Sequence, residues 1–358
     1  MESSIVRKGS GLVLGAALLL SACAPAAAPP ASGGQPAGGQ PAAGQSAAKP
    51  AAAAMNFRWA VNNGQNTGKG RQEQELADAI KKKTDGKVNV EIFWEGALGA
   101  ERTAIEGVGN KSVEMGVASS SNFSSIVKAW TALDLPFMLV GGYEGLTKLL
   151  PSPAMKDLEE ASEKAGFKIV GYCFDGFRHL FTTKKEVKTP ADLKGVKLRT
   201  TPSPIEAAYV SAFGGNPTVV DWGETYLALK QGTVDGYFVA YSSVVQFKMN
   251  DAIKYANELS VVPIISPVAM NLEYFNSLPA DVQKAILDAG KETAPLNLKR
   301  DQTDNEAFKK TLLDEGVKVT IPTKDDVKPW KDLSPQVYDK FQDVASKEWI
   351  AKVDASQK

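Results

Sequence analysis

Short apolar runs alternate with amphipathic ones from Met55 onward. Phe57–Val61 predicts a strand. Arg71–Lys83 carries Leu76, Ala77, Ala79 and Ile80 at helical spacing, and Thr84-Asp85-Gly86 stops it. Val88–Trp94 alternates as a half-buried strand does. A short helix follows from Glu101, then a strand, Met115–Ala118, that ends in the polar run Ser119–Asn122. Further along, Phe167–Tyr172 and Val196–Thr200 predict strands. Ser203-Pro204-Ile205-Glu206 has the capping-box pattern with proline at the first helical position, and Gly214-Gly215 closes that helix. Val219-Val220 predicts a strand, Asp221-Trp222-Gly223-Glu224 opens a helix over Thr225–Gln231, and Val234–Ala240 returns as a strand. Ala280–Glu315 predicts a long helix kinked at Pro295, where a backbone donor is lost. A last strand, Val317–Ile321, and a helix over Gln336–Lys347 complete the pattern. Helices crossing between short strands point to an α/β fold with largely parallel sheet, in which ligands lie beyond the carboxyl ends of strands.

The first residues follow another pattern. Arg7 and Lys8 precede the apolar run Gly11–Leu20, which is too short to span a bilayer, and Leu20-Ser21-Ala22-Cys23 ends it. Residues 1–23 are expected to be an export signal. Leu-Ser-Ala-Cys resembles the bacterial lipobox, which implies lipidation of Cys23. Residues 24–54 hold 14 Ala, 6 Pro and 5 Gly among 31 residues. Such a segment buries too little apolar surface to offset ordering and is expected to be a disordered tether with a reach of roughly 30 Å.

Composition narrows the chemistry. The 358 residues carry 41 bases and 41 acids. Glu2, Arg7, Lys8 and Lys49 fall in the first 54, which leaves 38 bases against 40 acids for the body. Near-neutrality argues against a nucleic-acid partner. One histidine, His179, excludes multi-histidine metal sites, and Cys23 and Cys173 cannot form a disulfide framework. No phosphate-binding loop or dinucleotide fingerprint occurs, and no cofactor is expected.

Two arginines stand out. Arg199 ends a strand beside a capped helix start, a setting suited to a carboxylate because guanidinium presents a fixed fork of donors. A structural salt bridge is the competing role. Arg178 follows a turn, Phe174-Asp175-Gly176-Phe177, whose aromatics and glycine set it in apolar surroundings; pairing with an acid such as Asp175 is its alternative. Trp222, Tyr237 and Phe238 are placed to cover a small ligand, although core packing explains aromatics equally well.

Five segments occur in order: Leu133–Phe137, Gly176-Phe177-Arg178, Asp192–Arg199, Glu224–Leu229 and Gly232–Gly236. Together they resemble the DctP-type solute receptors of TRAP (tripartite ATP-independent periplasmic) transporters, over essentially all of Met55–Lys358. The resemblance implies a two-lobed α/β fold of the periplasmic-binding-protein kind. Its mixed sheets are flanked by helices, a cleft lies between the lobes, and a long helix spans both. Residues 55–175 with 265–304 would form one lobe, and 176–264 with 305–358 the other. It implies a receptor rather than an enzyme, binding a small organic-acid carboxylate and delivering it to TRAP membrane permease subunits. Arg199 would make the main ion pair and Arg178 would assist. Trp222, Tyr237, Phe238 and Phe174 would surround the ligand, and Ser119 and Asn122 would supply polar contacts from the other lobe. Val239 replaces a polar residue common in relatives, which favours a less polar ligand body, such as an aromatic, branched or keto monocarboxylate. The expected location is the periplasm or the outer face of a bacterial membrane, lipid-anchored. Two alternatives are a receptor serving a sensor kinase or another transporter class, and an exported hydrolase, for which no paired acid and base is evident.

Overall fold

A computed structural model describes residues 54–358. The expected signal, Cys23 and all of the expected tether except Ala54 lie outside the described residues. The chain opens with β1 (Met55–Ala60), α1 (Gly68–Lys83), β2 (Val88–Phe93), α2 (Glu101–Gly109) and β3 (Met115–Val117). Then come α3 (Ser120–Phe123), α4 (Tyr143–Leu149), α5 (Pro153–Lys164), β4 (Phe167–Phe177) and β5 (His179–Thr182). They are followed by β6 (Lys197–Thr200), α6 (Pro204–Ala212), β7 (Asn216–Val219), α7 (Thr225–Gln231), β8 (Gly236–Val239), α8 (Tyr241–Gln246) and β9 (Tyr255–Asn257). The last elements are β10 (Pro263–Asn271), α9 (Leu272–Ser277), α10 (Ala280–Asp314), β11 (Lys318–Thr320), α11 (Lys324–Lys331), α12 (Pro335–Lys340) and α13 (Lys347–Ser356).

The strands form two sheets, ordered β2-β1-β3-β10-β4 and β11-β9-β5-β8-β6-β7. Both are mixed rather than largely parallel. β10 runs antiparallel to β3 and β4, and β5 antiparallel to β8 and β9. β10 has no counterpart in the periodicity because all nine of its residues are buried, so no polar face marks a period of two. It also contains Pro263 and Pro267, which argue against an inner strand; irregular register with β4 accommodates them.

Caps fix several helix starts. Thr67 accepts from Gly70 N at 3.0 Å and begins α1 three residues before the predicted Arg71. Three lysines fill the last turn of α1, where the helix dipole favours cations. α10 runs 35 residues through Pro295 without interruption, about 52 Å at the helical rise. Ile286 and Ala289 on α10 pack in the core of the first sheet, and Leu312 packs with Val244 and Met249 beside the second, so this helix spans both.

The helix approaches β4 closely. A Cβ at Gly290 would stand 1.8 Å from the Val170 carbonyl oxygen. Gly290→Ala must therefore push α10 off the strand, and a loss of about 1–3 kcal/mol is expected by chemical denaturation.

The C-terminal region differs from its expected form. The predicted helix over Gln336–Lys347 is replaced by α12 and α13, with Phe341–Ser346 between them. The tail divides: α12 packs on α6 beside the second sheet, whereas α13 crosses to α4 and α5 beside the first, so residues 305–358 do not all belong with the second lobe. Trp349 Nε1 donates to the Ala154 carbonyl of α5 at 3.0 Å, and Tyr338 Oη to the Pro136 carbonyl at 3.0 Å. Burial of Trp349 and Val353 there is the physical reason.

Candidate functional site

The two sheets are joined where β4 passes into β5. Phe174–Phe177 belongs to the strand rather than to a turn, and Arg178 is the link. The returning chain runs beside it: Arg178 N donates to Val262 O at 2.8 Å, and Val261 N to Arg178 O at 2.9 Å. Two crossings are thus laced together at this residue. A third is fixed by α10, where Asp301 accepts from Gly176 N at 2.8 Å and from Tyr143 Oη at 3.0 Å. Gly176 has φ +73°, and a Cβ there would sit 2.9 Å from the Asn305 side chain, so glycine suits the position twice over.

Arg178 is buried and well partnered. Its Nη1 donates to Glu206 Oε1 and to Phe238 O, each at 2.9 Å, and its Nη2 to Ser121 Oγ at 2.9 Å. Glu206 opens α6 but does not complete a capping box with Ser203. It accepts from Thr201 N at 2.9 Å and from Thr201 Oγ1. Ser203 Oγ accepts from Glu206 N at 3.3 Å as a simple cap and donates to Asp134 Oδ2 at 2.6 Å, and Asp134 Oδ1 accepts from Ser121 Oγ at 2.7 Å. These bonds link α3 and Asp134, next to the first sheet, with β6 and α6 of the second. Burial pushes the Asp134 carboxyl up to about 6, against the pull of Arg178 and of the Ser203 and Ser121 hydroxyls.

Arg199 is different. It is 4% exposed and has no ion-pair partner among the described residues. Nε donates to Val220 O at 2.9 Å, and the guanidinium carbon lies 5.5 Å from the Trp222 ring centre. Guanidinium has five N–H donors, so the four on Nη1 and Nη2 have no acceptor among the described residues. Burial lowers its pKa and prevails over the attraction of Glu206, which Arg178 opposes and Glu101 and Asp221 reinforce. A desolvated cation with most of its donors free is a strong binding site for an anion, which accepts from them.

The face contributed by the first sheet carries groups that sequence reasoning did not single out. Lys69, in the first turn of α1, is buried with Nζ 3.6 Å from Glu101. Glu101 starts α2 and accepts from Ser119 N (3.0 Å), Ser119 Oγ (2.9 Å) and Asn122 Nδ2 (2.7 Å). Burial works against the Glu101 charge, but Lys69 and these donors hold its carboxyl below the usual range. Ser119 and Asn122 therefore do lie at a strand's end, engaged with a carboxylate of the protein itself. The available signal was Gly68-Lys69-Gly70, where a charged residue sits between two glycines at a helix start.

Among the other expected contacts, Phe238 turns its ring into the core against Tyr209 and Phe213, and only its carbonyl reaches Arg178. Tyr237 stacks on Phe181, and Val239 is buried in the same apolar cluster. Phe174 is fully buried, and its backbone is clamped by the Gln72 amide at 2.8 and 2.9 Å. Of the aromatics, Trp222 is the one partly exposed beside Arg199. Alternation along β8 is why Tyr237 and Phe238 could not both face a ligand. His179 is structural: Nδ1 accepts from Ser260 N at 3.1 Å, and burial lowers its pKa to about 4.

Glu73, behind Lys69, yields a measurable consequence. Burial raises its pKa from 4.5 to about 8, although Lys69 and an Asn63 hydrogen bond at 2.7 Å oppose the shift. The native state holds a proton that the unfolded chain releases between those values. Glu73 therefore makes stability fall as pH climbs from 4.5 through 8. Glu73→Gln should flatten that part of a stability–pH curve, and an unchanged slope would contradict the assignment.

Comparison with known proteins agrees with this architecture. Residues 60–344 match the DctP family, bacterial extracellular solute-binding protein family 7. A solute-binding protein of Verminephrobacter eiseniae is 32% identical over 255 residues, covering 71% of this chain and 76% of the relative. A TRAP periplasmic solute-binding protein from Sulfurospirillum deleyianum, with bound succinate, is 26% identical with a TM-score of 0.78, covering 85% of this chain and 100% of that one. One from Ralstonia eutropha, with bound (S)-2-acetolactate, is 26% identical with a TM-score of 0.77, covering 84% and 98%. Both fold and sequence thus place this chain in the DctP family of extracellular solute-binding proteins, which are receptors and not enzymes.

Proposed function

We propose that the protein binds a small organic-acid carboxylate between its two sheets, with Arg199 as the anchor, and passes it to a TRAP membrane permease. The observation that carries this reading is the buried Arg199 guanidinium, which has no ion-pair partner among the described residues. A carboxylate on Nη1 and Nη2 would neutralise it bidentately, against the Trp222 ring. Arg178 would assist through its charge and its two uncommitted donors, while three donors remain on Glu206, Phe238 and Ser121. Lys69, Glu101, Ser119 and Asn122 would face the ligand's other end. Contacts from both sides exist only when the lobes close, so ligand would shift the population toward the closed form. The lobes in this reading are 55–175 with 265–304, and 176–264 with 305 to about 345, α13 returning to the first.

A thermal-unfolding screen of the full chain against organic acids, acetolactate and succinate among them, tests the reading. At a hundred times the dissociation constant, a true ligand adds about 2.7 kcal/mol of stability. If no carboxylate stabilises the protein, the reading falls; turnover of any acid would favour the hydrolase alternative instead.

Lipidation of Cys23 and a tether over residues 24–54 complete the proposal, resting on the Leu-Ser-Ala-Cys sequence and the Ala/Pro/Gly composition. Among the described residues, no helix is long and apolar enough to cross a membrane. Cys23→Ser is expected to move the protein from the membrane fraction to the soluble one in a cell fractionation.

A further inference from the structure

A large cavity lies away from Arg199, between the outer strand β4, helices α4 and α5, and the middle of α10, and has a volume of about 970 Å³. Its walls are apolar, with Leu150, Ile169, Val170, Leu287, Ala294 and Leu298 among them, and Pro295 adds its ring. That volume is at the upper end of small-molecule sites and exceeds what a short organic acid would fill.

The charges around it are unevenly satisfied. Glu144 is 3.0 Å from Lys148, Glu159 accepts the Tyr172 hydroxyl at 2.5 Å, and Lys168 is 2.6 Å from Glu163. Lys291 and Lys299, eight positions apart on α10, also line the cavity, and neither has an ion-pair partner among the described residues. Two unpaired ammonium groups beside an apolar chamber match a molecule with a long apolar body and one anionic end. They disfavour a neutral or cationic amphiphile of the same shape.

We propose that this cavity is a second binding site, for a single-tailed amphipathic carboxylate whose tail lies between β4 and α10 and whose head meets Lys291 and Lys299. The site shares no residue with the Arg199 cleft, so it stands or falls independently of the organic-acid reading.

The test is titration calorimetry of the full chain with three ten-carbon probes: decanoate, decanol and decyltrimethylammonium. Decanoate should bind once per chain and most tightly. Lys291 and Lys299 are exposed, so the K291E/K299E double variant keeps the core intact and should weaken decanoate by about tenfold. Ala294→Phe, which fills the chamber, should abolish binding of all three probes, and Arg199→Ala should leave decanoate unaffected. Decanol or the cation binding as tightly as decanoate would overturn the proposal. So would full decanoate affinity in K291E/K299E, or loss of decanoate binding in Arg199→Ala.

Discussion

Arg199→Ala is expected to abolish the stabilisation that an organic acid confers while leaving the unliganded protein about as stable as before. Two features of the residue make this a joint expectation. Its guanidinium makes one hydrogen bond to the protein, to the Val220 carbonyl, and no ion pair among the described residues, so the folded state loses little by giving it up. Burial already works against its charge, so truncation removes a desolvation cost along with that bond. For the bound state the balance reverses, because a carboxylate in that setting depends on this cation. Truncating one partner of a desolvated, hydrogen-bonded pair costs roughly 2–5 kcal/mol, or about thirty- to several-thousand-fold in affinity. Arg199→Lys should recover part of the affinity at most, since a single ammonium cannot reproduce the planar fork. Calorimetric titration alongside thermal unfolding separates the two halves of the expectation. Undiminished acid binding in Arg199→Ala would remove the site assignment.

Arg178→Ala should behave in the opposite way and lower the stability of the protein even without ligand. Arg178 and Glu206 are 5% and 1% exposed and lie 2.9 Å apart. Removing the guanidinium leaves the Glu206 carboxylate buried without its counter-charge and strips an N–H donor from the Phe238 carbonyl. Breaking a buried pair by removing one partner typically costs about 3–5 kcal/mol. The loss is concentrated where two chain crossings meet, so the unfolding transition should also broaden if the two sheets begin to separate before they melt. Denaturant unfolding of the two arginine variants side by side is the discriminating measurement. Equal stability of Arg178→Ala and the parent protein would mean that the network around Glu206 carries no net stabilisation.

Much of this was legible in the chain. The Ser203-Pro204 start of α6, the glycine stop after α7 and the long amphipathic run of α10 depend on local chemistry, and they appear where that chemistry puts them. Other features escaped because nothing local encodes them. β10 is buried on both faces and so has no period. Phe174–Phe177 looks like a turn because of Asp175-Gly176, yet Gln72 and Asp301 hold it as the end of a strand. Aromatic content near Arg199 suggested a ligand lid, but strand alternation sends Phe238 into the core, and Tyr237 is spent on Phe181.

Sequence by itself determined the class of fold, the positions of its capped helices and two candidate arginines, one at a strand's end and one after an apparent turn, since each is set by neighbours a few residues away. Only the tertiary structure decided between those arginines. Glu206 lies 28 positions from Arg178 and Ser121 lies 57, and their arrival satisfies that cation. No acid arrives at Arg199 among the described residues. A buried charge is defined by what surrounds it in space, and contacts made across the fold at such separations leave no mark on the local pattern from which elements are read.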